Sequence, residues 1–117
     1  MARQSLISTM SPAGTVLSAP STVSNVINTQ SIRDGRVYIE IEALGGATTI
    51  DVEAQIAEVN DAAKFTTVKA VANPFLAAGR QVIALEEHEI GAFLRLKYVP
   101  DAGAATANAK LEGKEGV

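Results

Sequence analysis

Ala92-Phe93-Leu94-Arg95-Leu96-Lys97-Tyr98-Val99, then Pro100-Asp101-Ala102-Gly103, then Ala105-Thr106-Ala107-Asn108-Ala109-Lys110-Leu111, is the stretch that decides the fold class. The first run alternates apolar and polar residues with period 2, the middle four are turn formers, and the last run alternates again. Closed as a hairpin with a four-residue loop, it sets Tyr98 against Ala105, Leu96 against Ala107, Leu94 against Ala109 and Ala92 against Leu111. On the other face Lys97 meets Thr106, Arg95 meets Asn108 and Phe93 meets Lys110. Large apolar residues meet small ones on one face and the other face is mostly polar, as expected for one wall of a β-sandwich.

Working outward, Arg36-Val37-Tyr38-Ile39-Glu40-Ile41-Glu42-Ala43-Leu44 and the run 48–56 repeat the pattern on either side of Gly45-Gly46. A symmetric loop about the glycine pair sets Ile41 opposite Ile50, Ile39 opposite Val52 and Val37 opposite Ala54, with Glu40 across from Asp51 on a solvated acidic face. A one-residue slip would turn carboxylates inward, so the inward set is strongly specified. Further strands are predicted over 23–32, 64–71 and 81–87. The first runs into a turn at Arg33-Asp34-Gly35, after which the two strands part company, because a two-residue turn matches Gln30 to Ile39. Residues 58–63 form a loop, and Asn73-Pro74 stops the preceding strand ahead of a short turn or loop pinned by Phe75. The prediction is an all-β fold, an antiparallel β-sandwich or jelly roll of about seven or eight strands.

The 117 residues suffice for one domain with a core. Residues 1–22 are rich in Ser, Thr, Ala and Pro, and Arg3 is their single charge. They read as an extended N-terminal arm ahead of a sandwich domain over 23–112 and a C-terminal tail over 113–117. Such an arm is costly to order and useful for lacing onto a neighbour, with Leu6, Ile7, Val16 and Leu17 as its apolar anchors. Arg95 and Lys97 are the candidate contact points for an acidic partner.

A net charge of −3 offers no broad basic surface for a phosphate backbone, so nucleic acid is not an expected partner. No apolar run approaches the length that spans a bilayer, nor does the N-terminus carry the apolar segment of a secretory signal, so soluble, intracellular synthesis and no membrane partner are expected. Without cysteine there is neither a disulfide nor a thiolate metal site. The sequence contains no Gly-x-Ser-x-Gly elbow, phosphate-binding glycine loop or dinucleotide fingerprint. His88-Glu89 starts like a zinc-protease helix, but His88 is the sole histidine, and neighbours such as Glu86, Glu87 and Glu89 diverge from an extended backbone. Glu40 with Asp51 is more simply a solubilising pair than an acid/base or calcium site. No catalytic residue, metal or cofactor is assigned, and the expectation is a non-enzymatic protein.

The runs 91–99 and 102–109, together with Ile50-Asp51-Val52-Glu53-Ala54-Gln55-Ile56, resemble the small jelly-roll type of tailed-phage head decoration, or cement, protein found on podovirus-like heads. No functional residue of that family aligns here. The resemblance implies a virion structural protein on the outer capsid surface, bound to the major capsid protein and to copies of itself as a dimer or trimer. Its role would be to stabilise the assembled head by bridging capsid subunits. The competing readings are a head–tail connector or tail component, and a small β-sandwich module binding carbohydrate or peptide.

Overall fold

The alternation in residues 36–42 is realised as read. In the computed structural model, which describes residues 5–115, Val37, Ile39 and Ile41 are buried while Arg36, Tyr38, Glu40 and Glu42 face outward. They belong to the 12-residue strand β4 (Ile32–Ala43). The other strands are β1 (Ser5–Ser18), β2 (Thr22–Val23), β3 (Ile27–Asn28), β5 (Ile50–Ala57), β6 (Thr66–Ala70), β7 (Gly79–Leu85), β8 (Phe93–Pro100) and β9 (Ala104–Glu115). They form two antiparallel sheets, ordered β1-β9-β4-β7 and β2-β8-β5-β6, with β3 beside β2 on the same edge of β8.

The pairing is nested. β1 pairs β9, β2 and β3 pair β8, β4 pairs β7, and β5 pairs β6. The chain is one long hairpin folded near residues 58–65 and then rolled, which brings β4 onto β9 and β5 onto β8 and makes a jelly roll. Consecutive strands such as β4 and β5 therefore lie in opposite sheets and present their apolar faces to each other across the core. That core is formed by Val37, Ile39, Ile41, Ile83 and Leu111 from one sheet and Ile50, Val52, Leu94, Leu96 and Tyr98 from the other.

Both predicted hairpins are corrected by this order. β8 and β9 are not paired with each other, and neither are β4 and β5; each connection crosses from one sheet to the other. Tyr98 lies beside Val52 and Thr22, and Ala105 beside Leu17. The inward residues were nevertheless read correctly, because a period-2 pattern states which face is buried and not which strand lies alongside. The two crossovers are locked together at one end of the sandwich. Ala104 N–H donates to the Gly45 carbonyl at 2.9 Å, and Asp101 N–H donates to Thr49 O at 3.1 Å. The Asp101 carboxylate accepts from the Thr48 backbone N–H at 2.8 Å and from the Thr48 hydroxyl. Gly45 has φ +56°, and a Cβ there would fall 2.1 Å from Ala104 O, so only glycine fits.

The arm is also corrected. Its residues 5–18 are strand β1, in register with β9 from Ser5 opposite Lys114 to Ser18 opposite Ala104. A bulge shifts the register between Thr9 and Ser11, leaving the consecutive residues Met10 and Ser11 both buried, and Pro12-Ala13-Gly14 loop out before pairing resumes at Thr15. These interruptions erase the local alternation that would have marked a strand. The tail expected over 113–117 continues β9 as far as Glu115, while residues 1–4 and 116–117 lie outside the described residues.

The predicted strand 23–32 resolves into β2 and β3 on β8, and the next strand does depart to the other sheet, as expected. The turn lies at Thr29, whose carbonyl accepts from Ile32 N–H at 3.0 Å, and not at Arg33-Asp34-Gly35, which is part of β4. Phe75 does pin its loop: it is buried and bridges Ile50.

Candidate interaction surfaces

The six candidate contact residues do not converge. Leu6, Ile7, Val16 and Leu17 all lie on β1, whereas Arg95 and Lys97 lie on the outer face of the opposite sheet. Leu17 is completely buried and anchors β1 to its own core, while Leu6 is half-buried. Ile7 and Val16 face away from the core and are 66% and 54% exposed. β1 is the edge strand of its sheet, and residues 5–18 contain no charged side chain.

Arg95 is held in place by its own molecule. Its Nε donates to Gln55 Oε1 at 2.8 Å, and its guanidinium stacks 4.2 Å from the centre of the Phe65 ring. Gln55 in turn donates to the Thr67 hydroxyl at 3.2 Å, which donates to Glu53 at 2.7 Å, so a polar chain crosses β8, β5 and β6. Lys97, half-buried on the same face, lies in register with Glu53 and Val23. The Phe65 platform was not read from the sequence, because Phe65 lies outside any strand and reaches Arg95 only through the fold.

Glu40 and Asp51, expected to be cross-strand partners, lie on outer faces of opposite sheets. Glu40 is instead flanked by β9 and β7. Asn108 Nδ2 donates to Glu40 Oε1 at 3.0 Å and to Glu42 Oε2 at 2.7 Å, and Arg80 Nε lies 3.4 Å from Glu40 Oε2. The Asn108 amide, followed by the Arg80 charge, holds the Glu40 carboxyl below its usual range. Gly14 N–H donates to Glu42 at 3.1 Å and ties the β1 loop to this face. A groove of about 330 Å³ runs beside these groups, lined by Tyr38, Glu40, Arg80, Val82, Asn108 and Lys110. The Lys110 ammonium lies 5.8 Å from the Tyr38 ring centre, so the one aromatic in the groove already faces a cation of its own chain.

Glu86, His88 and Glu89 do come together, contrary to the divergence expected of an extended backbone. A 3-10 turn over Glu87–Glu89 brings one ligand atom from each within 4.8 Å of the others. Glu89 accepts the Glu86 N–H at 2.9 Å and lies 3.7 Å from Lys69 Nζ, and these interactions hold its carboxyl below the usual range. The geometry is that of a turn stabilised by its own carboxylate, and we assign no metal to it.

No protein-family model matches this sequence, and no curated protein matches it. Solved structures do match in shape. A chain from Bacillus endospore appendages, which form disulfide-linked pili, superposes with a TM-score of 0.66 at 9% identity over 100% of this chain and 92% of that one. The PBSX exported protein XepA gives 0.69 at 11% identity over 96% of this chain, which spans 38% of XepA. The SPBc2 prophage-derived protein YomS gives 0.59 at 12% identity, with 96% of each chain covered. At these identities the likeness is one of fold: the chain shares its β-sandwich with an exported protein, a prophage-derived protein and a chain of pilus-forming appendages.

Proposed function

We propose that this chain is a non-enzymatic virion structural protein, a decoration protein on the outer surface of a phage head that stabilises the assembled shell by bridging major capsid protein subunits. The observation that carries the reading is the end-to-end match to prophage-derived YomS, in which 96% of each chain is covered by one and the same sandwich. The described surfaces support it. Both outer faces are sheets whose polar groups pair along rows, as in Arg95–Gln55–Thr67–Glu53 and Arg80–Glu40–Asn108, which suits docking against a broad neighbour more than enclosing a small ligand. Because residues 5–18 complete the chain's own sheet, docking on the shell falls to the faces, edges and end loops, with many modest contacts adding through avidity.

The test is addition of the purified protein to phage heads assembled without it. Saturable binding at a fixed copy number per capsomer, with heads that then resist heat or chelator longer, is the expected result. Binding to the portal or tail alone, in a few copies per particle, would assign the chain to the connector or tail instead. A module for carbohydrate or peptide would bind its ligand as a free chain and leave head stability unchanged.

A further inference from the structure

The two sides of the sandwich differ in how their edges are guarded. On the β6/β7 side, Lys69 Nζ reaches across to the Ala84 carbonyl at 2.8 Å, and the Gln81 amide donates to Asn73 O at 2.8 Å, so side chains occupy the edge. β1 on the opposite side is less guarded. Among the described residues no strand pairs with its far side; Asn25 N–H bonds Met10 O at 3.0 Å near its middle, and at its last residue the Thr22 hydroxyl accepts from Ser18 N–H at 2.7 Å and donates to Ser18 O at 3.1 Å. A 14-residue edge without a charge, carrying the exposed Ile7 and Val16, is a template for another strand.

The sequence of β1 indicates which strand. Ser5-Leu6-Ile7-Ser8 at one end is answered by Thr15-Val16-Leu17-Ser18 at the other, a chemical palindrome about the irregular middle at Ser11-Pro12. Laid antiparallel on itself about that midpoint, β1 sets Leu6 beside Leu17, Ile7 beside Val16 and Ser8 beside Thr15, each combination occurring twice. Facing is consistent, since Leu6 and Leu17 both turn toward the core and Ile7 and Val16 both turn outward. The bulge and the Pro12-Ala13-Gly14 loop fall at the centre, so the two regular flanks are left to pair. With no charge on the strand, two copies meet without like-charge repulsion.

We propose that the β1 edge is an isologous interface with a second copy of this chain, antiparallel and with Ile7 of each copy beside Val16 of the other, so that two four-stranded sheets join into one. This goes beyond the virion reading and stands or fails without it.

The absence of native cysteine makes the register directly testable. Ile7→Cys and Val16→Cys are made separately in the full chain, and each is oxidised alone and after mixing. The expected result is a dimer by light scattering, with a disulfide-linked pair on mixing and little in either sample alone. In addition, Ile7→Lys with Val16→Lys should weaken the dimer by ~10-fold or more, whereas Ile7→Lys with Val16→Glu should restore it by placing opposite charges across the pair. Both positions are exposed, and an unchanged circular dichroism spectrum would confirm that the fold is kept. A wild-type chain that stays monomeric at its highest soluble concentration, as expected if β1 takes a strand from another protein, would overturn the proposal. So would a disulfide that forms as readily in the single-variant samples as in the mixture.

Discussion

The two long sides of the sandwich are held by different means. On the β1 side the attachment is made by buried side chains: Met10 and Leu17 are fully buried, and Ser11 shares a 2.8 Å hydrogen bond with Tyr98, which reaches across from the other sheet. On the opposite side β6 buries no residue completely, and β6 and β7 are joined through Lys69, which bonds Ala84 O and approaches Glu89. β1 is anchored inside and sparsely guarded along its edge; β6 is lightly anchored, and its side is capped beside β7, which buries Ile83 and Leu85. Inner packing and edge protection are thus separate properties, and a strand can have the first without the second.

The largest effect should come from removing the inner anchors. Leu17→Ala or Met10→Ala leaves a cavity and should cost about 2–5 kcal/mol in denaturant unfolding, against about 1 kcal/mol for Val68→Ala, the half-buried residue of the otherwise exposed β6. Equal costs would mean that the contrast between the sides is not energetic.

Next is the polar pair within the β1 anchor. Tyr98→Phe leaves the buried Ser11 hydroxyl without its partner and should cost about 1–3 kcal/mol, while adding Ser11→Ala should recover much of the loss. Burial pushes the Tyr98 phenol above its ordinary value of 10.0. The folded state favours the neutral phenol, so its contribution is fully present below pH 10 and is lost as the pH rises beyond that. Tyr98→Phe should remove this part of the alkaline decline.

Lys69→Met should have a smaller effect, about 0.5–1.5 kcal/mol, because the bond it breaks is solvent-exposed. Its clearer signature should be faster amide exchange in β7 and more self-association, as an uncapped edge becomes available. The least effect belongs to Glu89. The Glu86 N–H first, then the Lys69 charge, depress its carboxyl below the ordinary 4.5, so its contribution is present above that value and fades as pH falls through the depressed one. An acid titration of Glu89→Gln should lack that component on the β6/β7 side, and one that leaves the acid limb unchanged would remove Glu89 from the account of this edge.

Facing was legible in the sequence and partnership was not. Val37, Ile39, Ile41, Val52, Leu94 and Leu96 were assigned inward and are buried, because burial of one face is written residue by residue along a strand. That Ile39 lies between Ala109 and Gln81 depends on how a rolled hairpin brings distant segments together, and no local signal records it. β1 was read as an arm since its bulge places Met10 and Ser11 on the same side, breaking the period that identifies strands. Among the candidate contacts, nothing local separates the exposed Ile7 and Val16 from Leu6 and Leu17, and the Phe65 stack on Arg95 and the turn gathering Glu86, His88 and Glu89 likewise required the fold.

The nested pairing also bears on the order of events when the chain folds. β9 sits between β1 and β4, so that sheet has no continuity until residues 104–115 are present. Its outermost pair joins Ser5 to Lys114, a loop of nearly the whole chain, and closing such loops slows folding to the millisecond-to-second range common for β-sandwiches. During synthesis β1 and β4 therefore lack the strand that joins them, and this sheet is completed only once residues 104–115 have left the ribosome.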